Sequence, residues 1–187
     1  WLVVTRSLAA SLAESAPHMA LALQPGEPRA LLVLAKQDLA PLLKHHGYMA
    51  LGLPSLQEAI AAHLTRSGLP STVDQILVTH GAQQAIGLIT ALYVQPGDTV
   101  VLEEPTYLGA IDVFASAGAR LISVPVGRDG VRLELLRESL AGETPSLIYL
   151  MPTFQNPTGV VMPEKNRREM VRLAEEKQIP IIEDNTL

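Results

Sequence analysis

The strongest constraint on the fold is a regular alternation, from Ile76 onward, of short apolar runs with longer segments whose apolar residues recur every three or four positions. Short apolar runs bounded by turn residues indicate buried strands, and the segments between them indicate amphipathic helices. Strands that alternate with helices form a largely parallel sheet with right-handed crossovers. The sequence therefore predicts an α/β fold with the strands QILVTH, TVVLEE, ARLISVPV, SLIYLM and IPIIED.

Turn and capping residues predict where the helices begin and end. Gly118 closes the second helix of the alternating region, and Pro163 lies in the first turn of the fourth. One further helix precedes the alternation, with Ser55 as its N-cap, Glu58 three residues later as in a capping box, and Gly68 at its end. The helices of the alternating region are predicted over GAQQAIGLITALYV, TYLGAIDVFASAG, VRLELLRESLAG and PEKNRREMVRLAEEKQ.

Composition excludes several classes of function. The 187 residues carry a net charge of −5, which argues against a nucleic-acid-binding surface within them. The absence of cysteine excludes a disulfide framework, a cysteine-based zinc site and thiol catalysis, and it is consistent with a cytoplasmic protein. The apolar runs are all far shorter than the ~20 residues that a membrane-spanning helix needs. The first residues form an amphipathic segment without an initiating Met, so we expect the chain to begin inside a longer protein.

Other recognisable chemical signatures are missing. His45 and His46 are adjacent, so they cannot share one helix face as zinc-binding pairs four residues apart do, and no metal site is predicted. The glycine fingerprint of nicotinamide-binding folds, the nucleophile elbow of hydrolases and the phosphate-binding loop of nucleotide hydrolases do not occur.

Ligands of parallel α/β sheets gather beyond the carboxyl ends of the strands. Four unusual loops follow predicted strands: Thr79–Gln84, Glu103–Tyr107, Pro152–Gly159 and Glu183–Leu187. Gly81 stands between a strand and a helix whose free N–H groups suit a phosphate, although a plain tight turn explains that glycine equally well. Tyr107 would open a helix at the same edge, either covering a flat ligand or packing as a partly buried ring.

The other two loops offer an amide and a carboxylate. Asn156 lies between prolines that restrict the backbone, so its amide is either presented at a fixed point or part of an ordinary Asn-Pro turn. Asp184 ends the last strand, where its carboxylate either holds a proton on a ring nitrogen or caps a helix. Together the four loops would suit one ligand that carries a phosphate, an aromatic ring with an exposed face, a phenolic oxygen and a basic ring nitrogen.

With GAQQA, EEPTY, NPTG and IIED in this order and spacing, the sequence resembles the fold-type I aminotransferases of class I/II, which depend on pyridoxal 5′-phosphate (PLP). PTFQNPTG is most similar to the aminoadipate-type transaminases and to the aminotransferase-like domains of MocR/GntR regulators. The resemblance implies an αβα sandwich with a mostly parallel sheet, the large domain of the PLP-dependent transferases. It also implies an N-terminal segment over residues 1–53 and an incomplete PLP-binding domain over residues 54–187.

The resemblance also assigns roles to individual residues. Tyr107 would stack on the pyridine ring, Asn156 would donate a hydrogen bond to the 3′-oxygen, and Asp184 would pair with the pyridinium nitrogen. Tyr48 would reach the phosphate of a partner subunit across a homodimer interface. The cofactor phosphate would be bound, largely through backbone N–H groups, by Gly81, Ala82 and Gln83.

Two departures from the family pattern are visible. Leu187 replaces the tyrosine that usually follows the aspartate by three residues. The lysine that holds PLP covalently as a Schiff base is expected beyond the end of this chain, since none of Lys36, Lys44, Lys165 and Lys177 follows a strand facing the proposed ring. These residues therefore include no catalytic lysine, and we expect the isolated 187-residue chain not to transaminate.

Three readings of the intact protein stay open. In the first it is a homodimeric cytoplasmic transaminase that moves an amino group between an amino acid and a 2-oxo acid. In the second it is a MocR/GntR-type transcriptional regulator, which senses PLP or an amine and binds DNA through a winged helix-turn-helix upstream of Trp1. In the third it is a degenerate dimerisation scaffold that has lost the cofactor.

Overall fold

The computed structural model describes residues 2–4 and 49–185. They divide into two compact units, one ending at Ala82 and the other running from Gln83 to Asn185. Each unit is described by itself. The domain boundary expected at residues 53/54 stays a prediction.

The first unit contains a two-stranded parallel sheet and one long helix. Strand β1 (Leu2–Val4) pairs with β2 (Ile76–Val78), and helix α1 (Pro54–Arg66) precedes a 3-10 turn at Val73–Gln75. Helix α1 buries one face, as the spacing of its apolar residues requires. The residues of that face are Gln57, Ile60, Ala61 and Leu64.

The predicted N-cap of α1 is wrong. Leu53 is the N-cap, it makes no side-chain capping bond, and Ser55 lies within the first turn. Pro54 explains the shift, since proline favours the first helical position and fixes the start of the helix there. A capping box does occur further along, between Thr72 and Gln75 at the 3-10 turn. Gly68 follows the C-cap of α1 with φ +93°, as predicted.

The second unit is a five-stranded sheet covered by helices. The strands are β3 (Thr99–Glu104), β4 (Arg120–Gly127), β5 (Gly130–Val131), β6 (Leu147–Leu150) and β7 (Ile181–Glu183), in the spatial order β5-β4-β3-β6-β7. All neighbouring pairs are parallel except β4 and β5, which form an antiparallel hairpin. The sheet is therefore mixed. The helices are α2 (Ala82–Tyr93), α3 (Leu108–Ser116), α4 (Leu133–Gly142) and α5 (Glu164–Lys177).

The two faces of the sheet build two separate cores, because successive strand residues point to opposite sides. Val101 and Ile148 face the cluster that includes Leu136 of α4 and Leu173 of α5. Val100 and Leu147 face the cluster that holds the buried residues of α2 and α3, among them Ile86 and Phe114. Helices thus cover both faces, and the predicted α/β sandwich is confirmed.

Two details differ from the sequence-based expectation. In the described residues β2 pairs with β1 and not with the four later predicted strands, since alternation along the chain does not reveal which strands are neighbours. Pro163 is the N-cap of α5 and lies one residue before the helix.

Among the described helices, none combines the length and the apolar character required to traverse a bilayer.

Candidate functional site

Three of the predicted site residues follow three neighbouring strands of one sheet. Tyr107, Asn156 and Asp184 lie beyond the carboxyl ends of β3, β6 and β7, which are adjacent and parallel. Asp184 stays attached to the sheet, because its backbone N–H donates a 2.8 Å hydrogen bond to the carbonyl of Leu150. The carboxyl edge of the second unit therefore gathers a phenol, an amide and a carboxylate.

Tyr107 is the half-buried N-cap residue of α3, and its hydroxyl contacts the first turn of α2. The hydroxyl donates a 3.0 Å hydrogen bond to Oε1 of Gln83. Nε2 of Gln83 in turn donates to the carbonyl of Gly109 at 3.0 Å. A β-carbon at Gly109 would overlap both the Tyr107 ring and the Gln83 amide, so the absence of a side chain there permits this arrangement.

Gly81 and Ala82 belong to the first unit and are described by their local geometry. Gly81 has φ +117°, and a β-carbon placed there would meet no heavy atom within 4 Å. Its carbonyl accepts a 3.1 Å hydrogen bond from the Thr79 hydroxyl, and α2 begins at the next residue, Ala82. The first backbone N–H groups of a helix have no partner within that helix, and such a helix start is a geometry that suits anions.

The loop that carries Asn156 is held by the side chain of the preceding residue. Gln155 is only 1% exposed. Its Nε2 donates to the carbonyl of Pro105 at 2.6 Å, and its Oε1 accepts from the N–H and the hydroxyl of Thr158 at 3.1 and 2.6 Å. The backbone N–H of Gln155 also donates to the carbonyl of Val160, and its carbonyl accepts from the N–H of Gly159. Gln155 is thus the buried centre of the loop.

Arg167 of α5 supports the same loop from outside. Its Nε donates to the carbonyl of Met162 at 2.8 Å, and one terminal nitrogen donates to the carbonyl of Pro152 and to the hydroxyl of Thr153 at 2.8 and 2.9 Å. These bonds join the two ends of the loop to one rigid helix. Guanidinium groups suit this task because their donors have a fixed planar geometry.

Asn156 itself is half-buried, and its side-chain amide makes no hydrogen bond to any other described residue. A primary amide offers two donors and one acceptor. Gln155 and Thr158 on the same loop are bonded to each other, whereas the Asn156 amide keeps its full capacity for a ligand.

The Asp184 carboxylate is 7% exposed and is bound by a tyrosine from the neighbouring strand. The Tyr149 hydroxyl donates a 2.6 Å hydrogen bond to Oδ2 of Asp184. Tyr149 is fully buried, and its ring packs edge-to-face against Phe114 with 5.8 Å between centroids. Burial, followed by the negative charge of Asp184, raises the pKa of Tyr149, so the phenol keeps its proton and acts as the donor.

Glu103, the fifth residue of β3, places a second acidic group under this edge of the sheet. It is 1% exposed, and burial raises the pKa of its carboxyl group. Its Oε2 accepts the backbone N–H of Met151 at 2.9 Å and faces Nε2 of Gln155 at 3.5 Å. Its Oε1 and the hydroxyl of Thr106 are buried without a partner in the described part of the chain.

Tyr48 and Leu187 lie outside the described residues, so the two predictions that concern them stay predictions. Sequence reasoning missed three residues that organise the edge: Glu103, Tyr149 and Gln155. A weak signal existed for each. Glu103 is an acid inside an apolar run, Tyr149 is the one hydroxyl-bearing residue of LIYL, and Gln155 immediately precedes the predicted site residue Asn156.

These side chains fit a flat ring with a basic nitrogen. A buried carboxylate suits a protonated ring nitrogen, an amide without a partner suits a ring oxygen, and a tyrosine ring suits the face of an aromatic system. The observation that supports the fit is the combination of the Asn156 amide, unpaired among the described residues, with the rigidly held Asp184 carboxylate at one sheet edge.

Comparison with known proteins gives a consistent result. The sequence model of the family described as "Aminotransferase class I and II" matches residues 32–186. Aromatic-amino-acid aminotransferase 1 of Thermococcus litoralis is 35% identical over 156 residues, which cover 77% of this chain and 37% of that protein. The probable rhizopine catabolism regulatory protein MocR of Rhizobium meliloti is 34% identical over 176 residues, covering 88% of this chain and 35% of that protein.

Solved structures agree with the sequence relatives. LysN, the α-aminoadipate aminotransferase of Thermus thermophilus in complex with N-(5′-phosphopyridoxyl)-L-leucine, matches with a TM-score of 0.69 and 32% identity. The match covers 81% of this chain and 39% of LysN. The chain therefore spans less than two fifths of the length of each of these three proteins.

Proposed function

Because the chain belongs to the aminotransferase class I and II family, we propose that the full-length protein is a PLP-dependent transaminase. It transfers an amino group between an amino acid and a 2-oxo acid. We propose further that it works as a homodimer in the cytoplasm. The observation that carries the proposal is the buried Asp184 carboxylate, held by Tyr149 at the sheet edge that also bears Tyr107 and Asn156.

In this proposal each residue binds a different part of the cofactor. Asp184 binds the ring nitrogen and keeps a proton on it, Asn156 donates to the 3′-oxygen, and Tyr107 packs on the ring. The phosphate is held at the start of α2 by Gly81, Ala82 and Gln83, and by Tyr48 of a second subunit. Bound PLP supplies an electron sink for the carbanion that forms when an amino acid loses its α-proton.

Asp184 matters most in this scheme, because a neutral ring nitrogen withdraws electrons poorly. The carboxylate acts through charge, and its burial strengthens that action. The Gln155 and Arg167 bonds hold the Asn156 loop in place, so the amide is oriented before the cofactor arrives. Preorganised polar groups lower the barrier because they need no rearrangement during the reaction.

The test uses the full-length protein supplied with PLP and with a panel of amino acids and 2-oxoglutarate. We expect an absorbance band of bound PLP and formation of glutamate. Asp184→Asn should reduce the transfer rate by at least about 100-fold, whereas Asp112→Asn, on the exposed side of α3, should leave it unchanged. A full-length protein that binds no PLP would contradict the proposal.

A second candidate function is favoured by one observation. The MocR relative is matched over a larger share of this chain than the aromatic aminotransferase. In this alternative the same site senses PLP or an amine, and DNA is bound by a part of the protein outside these 187 residues. Retention of promoter DNA by the full-length protein, changed by PLP and without amino-group transfer, would support the regulator over the enzyme.

A further inference from the structure

Tyr149 is a buried tyrosine whose hydroxyl group is not explained by packing of its ring or by the family resemblance. It lies on β6, next to β7, and is paired with Ile182 in the sheet register. Its hydroxyl lies 2.6 Å from Oδ2 of Asp184, which follows β7 by one residue. A phenol with no exposed surface normally needs a partner, and here the partner is the carboxylate proposed to bind the cofactor.

The direction of this hydrogen bond follows from the surroundings of the phenol. Burial and the neighbouring acidic groups, Asp184 first and then Glu103, all raise the pKa of Tyr149. The phenol therefore stays protonated and donates, and Asp184 accepts. The edge-to-face contact with Phe114 and the strand backbone fix the ring, so the donor cannot turn away from the carboxylate.

We infer that Tyr149 is a positioning residue that orients the Asp184 carboxylate through this hydrogen bond, so that the carboxylate pairs with a protonated ring nitrogen of bound PLP. This inference rests on the proposed function. A hydrogen bond donated to a carboxylate stabilises its charged form. Without this donor the carboxylate would no longer be held in one orientation, so its ion pair with the protonated ring would weaken and the protonated fraction of the ring would fall. Tyr149 acts through Asp184 and does not itself touch the cofactor.

The test measures where the proton resides, and it does not depend on turnover. The full-length protein is loaded with PLP carrying ¹⁵N at the ring nitrogen, and the ¹⁵N chemical shift reports ring protonation. In Tyr149→Phe the ratio of protonated to neutral ring should fall by about tenfold, since a hydrogen bond to a charged group contributes that much or more. Tyr93→Phe, which alters an exposed tyrosine of α2, should leave the shift unchanged.

Phenylalanine retains the ring and its packing against Phe114, and near-ultraviolet circular dichroism checks that the fold is kept. A double mutant separates the two possible roles of Tyr149. If it acts through Asp184, Tyr149→Phe should weaken PLP binding in the wild-type background and not in an Asp184→Asn background, whereas a purely structural role would weaken PLP binding equally in both backgrounds.

The remaining outcomes are equally decisive. Equal ¹⁵N shifts in the wild type and in Tyr149→Phe would overturn the inference and leave the proposed function intact. A wild-type protein that retains no PLP would overturn both. A neutral ring nitrogen in the wild type would overturn the inference together with the proposed role of Asp184.

Discussion

The side-chain amide of Gln155 donates a 2.6 Å hydrogen bond to the backbone carbonyl of Pro105. The two residues are 50 positions apart in the sequence, and each lies in a loop at the carboxyl end of a strand, β6 and β3 respectively. One buried amide thus joins the loop that presents Asn156 to the segment that presents Tyr107. The distance between the candidate cofactor-binding residues Asn156 and Tyr107 therefore depends on Gln155, which is not itself proposed to contact the cofactor.

We predict that Gln155→Leu lowers the free energy of unfolding by about 2–4 kcal/mol, since buried groups that lose a hydrogen-bond partner are costly. The carbonyl of Pro105 and the hydroxyl of Thr158 would lose their partner at once. Urea unfolding of the full-length protein, followed by circular dichroism, measures the change.

Gln95→Leu is the matched control, because Gln95 is exposed and its side chain makes no hydrogen bond with any other described residue. Its effect should stay within about 0.5 kcal/mol. Equal losses in Gln155→Leu and Gln95→Leu would show that the Gln155 network does not stabilise the fold.

We predict that Gly109→Ala weakens PLP binding by about tenfold, the equivalent of one lost contact of about 1.4 kcal/mol. The added methyl group would displace the Tyr107 ring and the Gln83 amide, whose hydrogen bond orients both. Only the ends of flexible side chains need to move, so the fold should persist. Fluorescence titration of the full-length protein with PLP gives the affinity.

Gly87→Ala provides the comparison for Gly109→Ala. Gly87 lies within α2, and a β-carbon there would meet no heavy atom within 4 Å. Alanine at this position should leave PLP affinity unchanged and stabilise the protein by about 0.5–1 kcal/mol, because glycine weakens helix interiors. A loss of PLP affinity equal to that of Gly109→Ala would contradict the proposed role of Tyr107.

The positions of Tyr107, Asn156 and Asp184 could be predicted, because strand ends are local features and parallel strands bring their carboxyl ends to one edge. The residues that hold them could not. Glu103 and Gln155 approach each other across 52 positions, and Tyr149 reads as one more apolar strand residue. Which distant polar groups meet depends on strand order, and the alternating pattern does not encode strand order.

The same limit explains the errors in the fold. The alternation correctly predicted four of the five strands of the sheet in the second unit, namely β3, β4, β6 and β7. It missed β5, because a strand of two residues next to a GRDG turn has no periodicity to detect. It also predicted one sheet for all five strands, whereas in the described residues β2 pairs with β1. The residue type of Ser55 predicts a cap, but the fixed φ of Pro54 determines the start of α1.

We predict that Gln178→Gly stabilises the protein by about 0.5–1 kcal/mol, since a side chain in the left-handed region is strained and glycine is not. Gln178 ends α5 with φ 55° and ψ 39°. Thermal or urea unfolding detects the gain. Glu175→Gly, one turn earlier in the same helix, should have the opposite effect and destabilise by about 1 kcal/mol. Destabilisation by both glycines would show that strain at Gln178 is negligible.

The last prediction concerns the pH dependence of stability. Burial raises the pKa of Glu103, and the hydrogen bonds from Met151 and Gln155 oppose this only in part. The folded protein therefore keeps the Glu103 proton to a higher pH than the unfolded chain does. The stabilising contribution is complete below the unfolded pKa and is lost as pH rises through the folded pKa. Glu103→Gln, which stays neutral, should gain stability relative to wild type as pH rises above about 4, where a glutamate of the unfolded chain begins to ionise.

Urea unfolding of the wild type and of Glu103→Gln at several pH values across this range measures the difference. The neighbouring Glu104 is exposed, so Glu104→Gln removes a negative charge from the same strand without removing a buried carboxyl group. If the curve of unfolding free energy against pH for Glu103→Gln runs parallel to that of wild type, the buried carboxyl group does not titrate differently in the folded state. A relative gain that grows with pH for Glu103→Gln but not for Glu104→Gln would place the effect at the buried group beneath the candidate site.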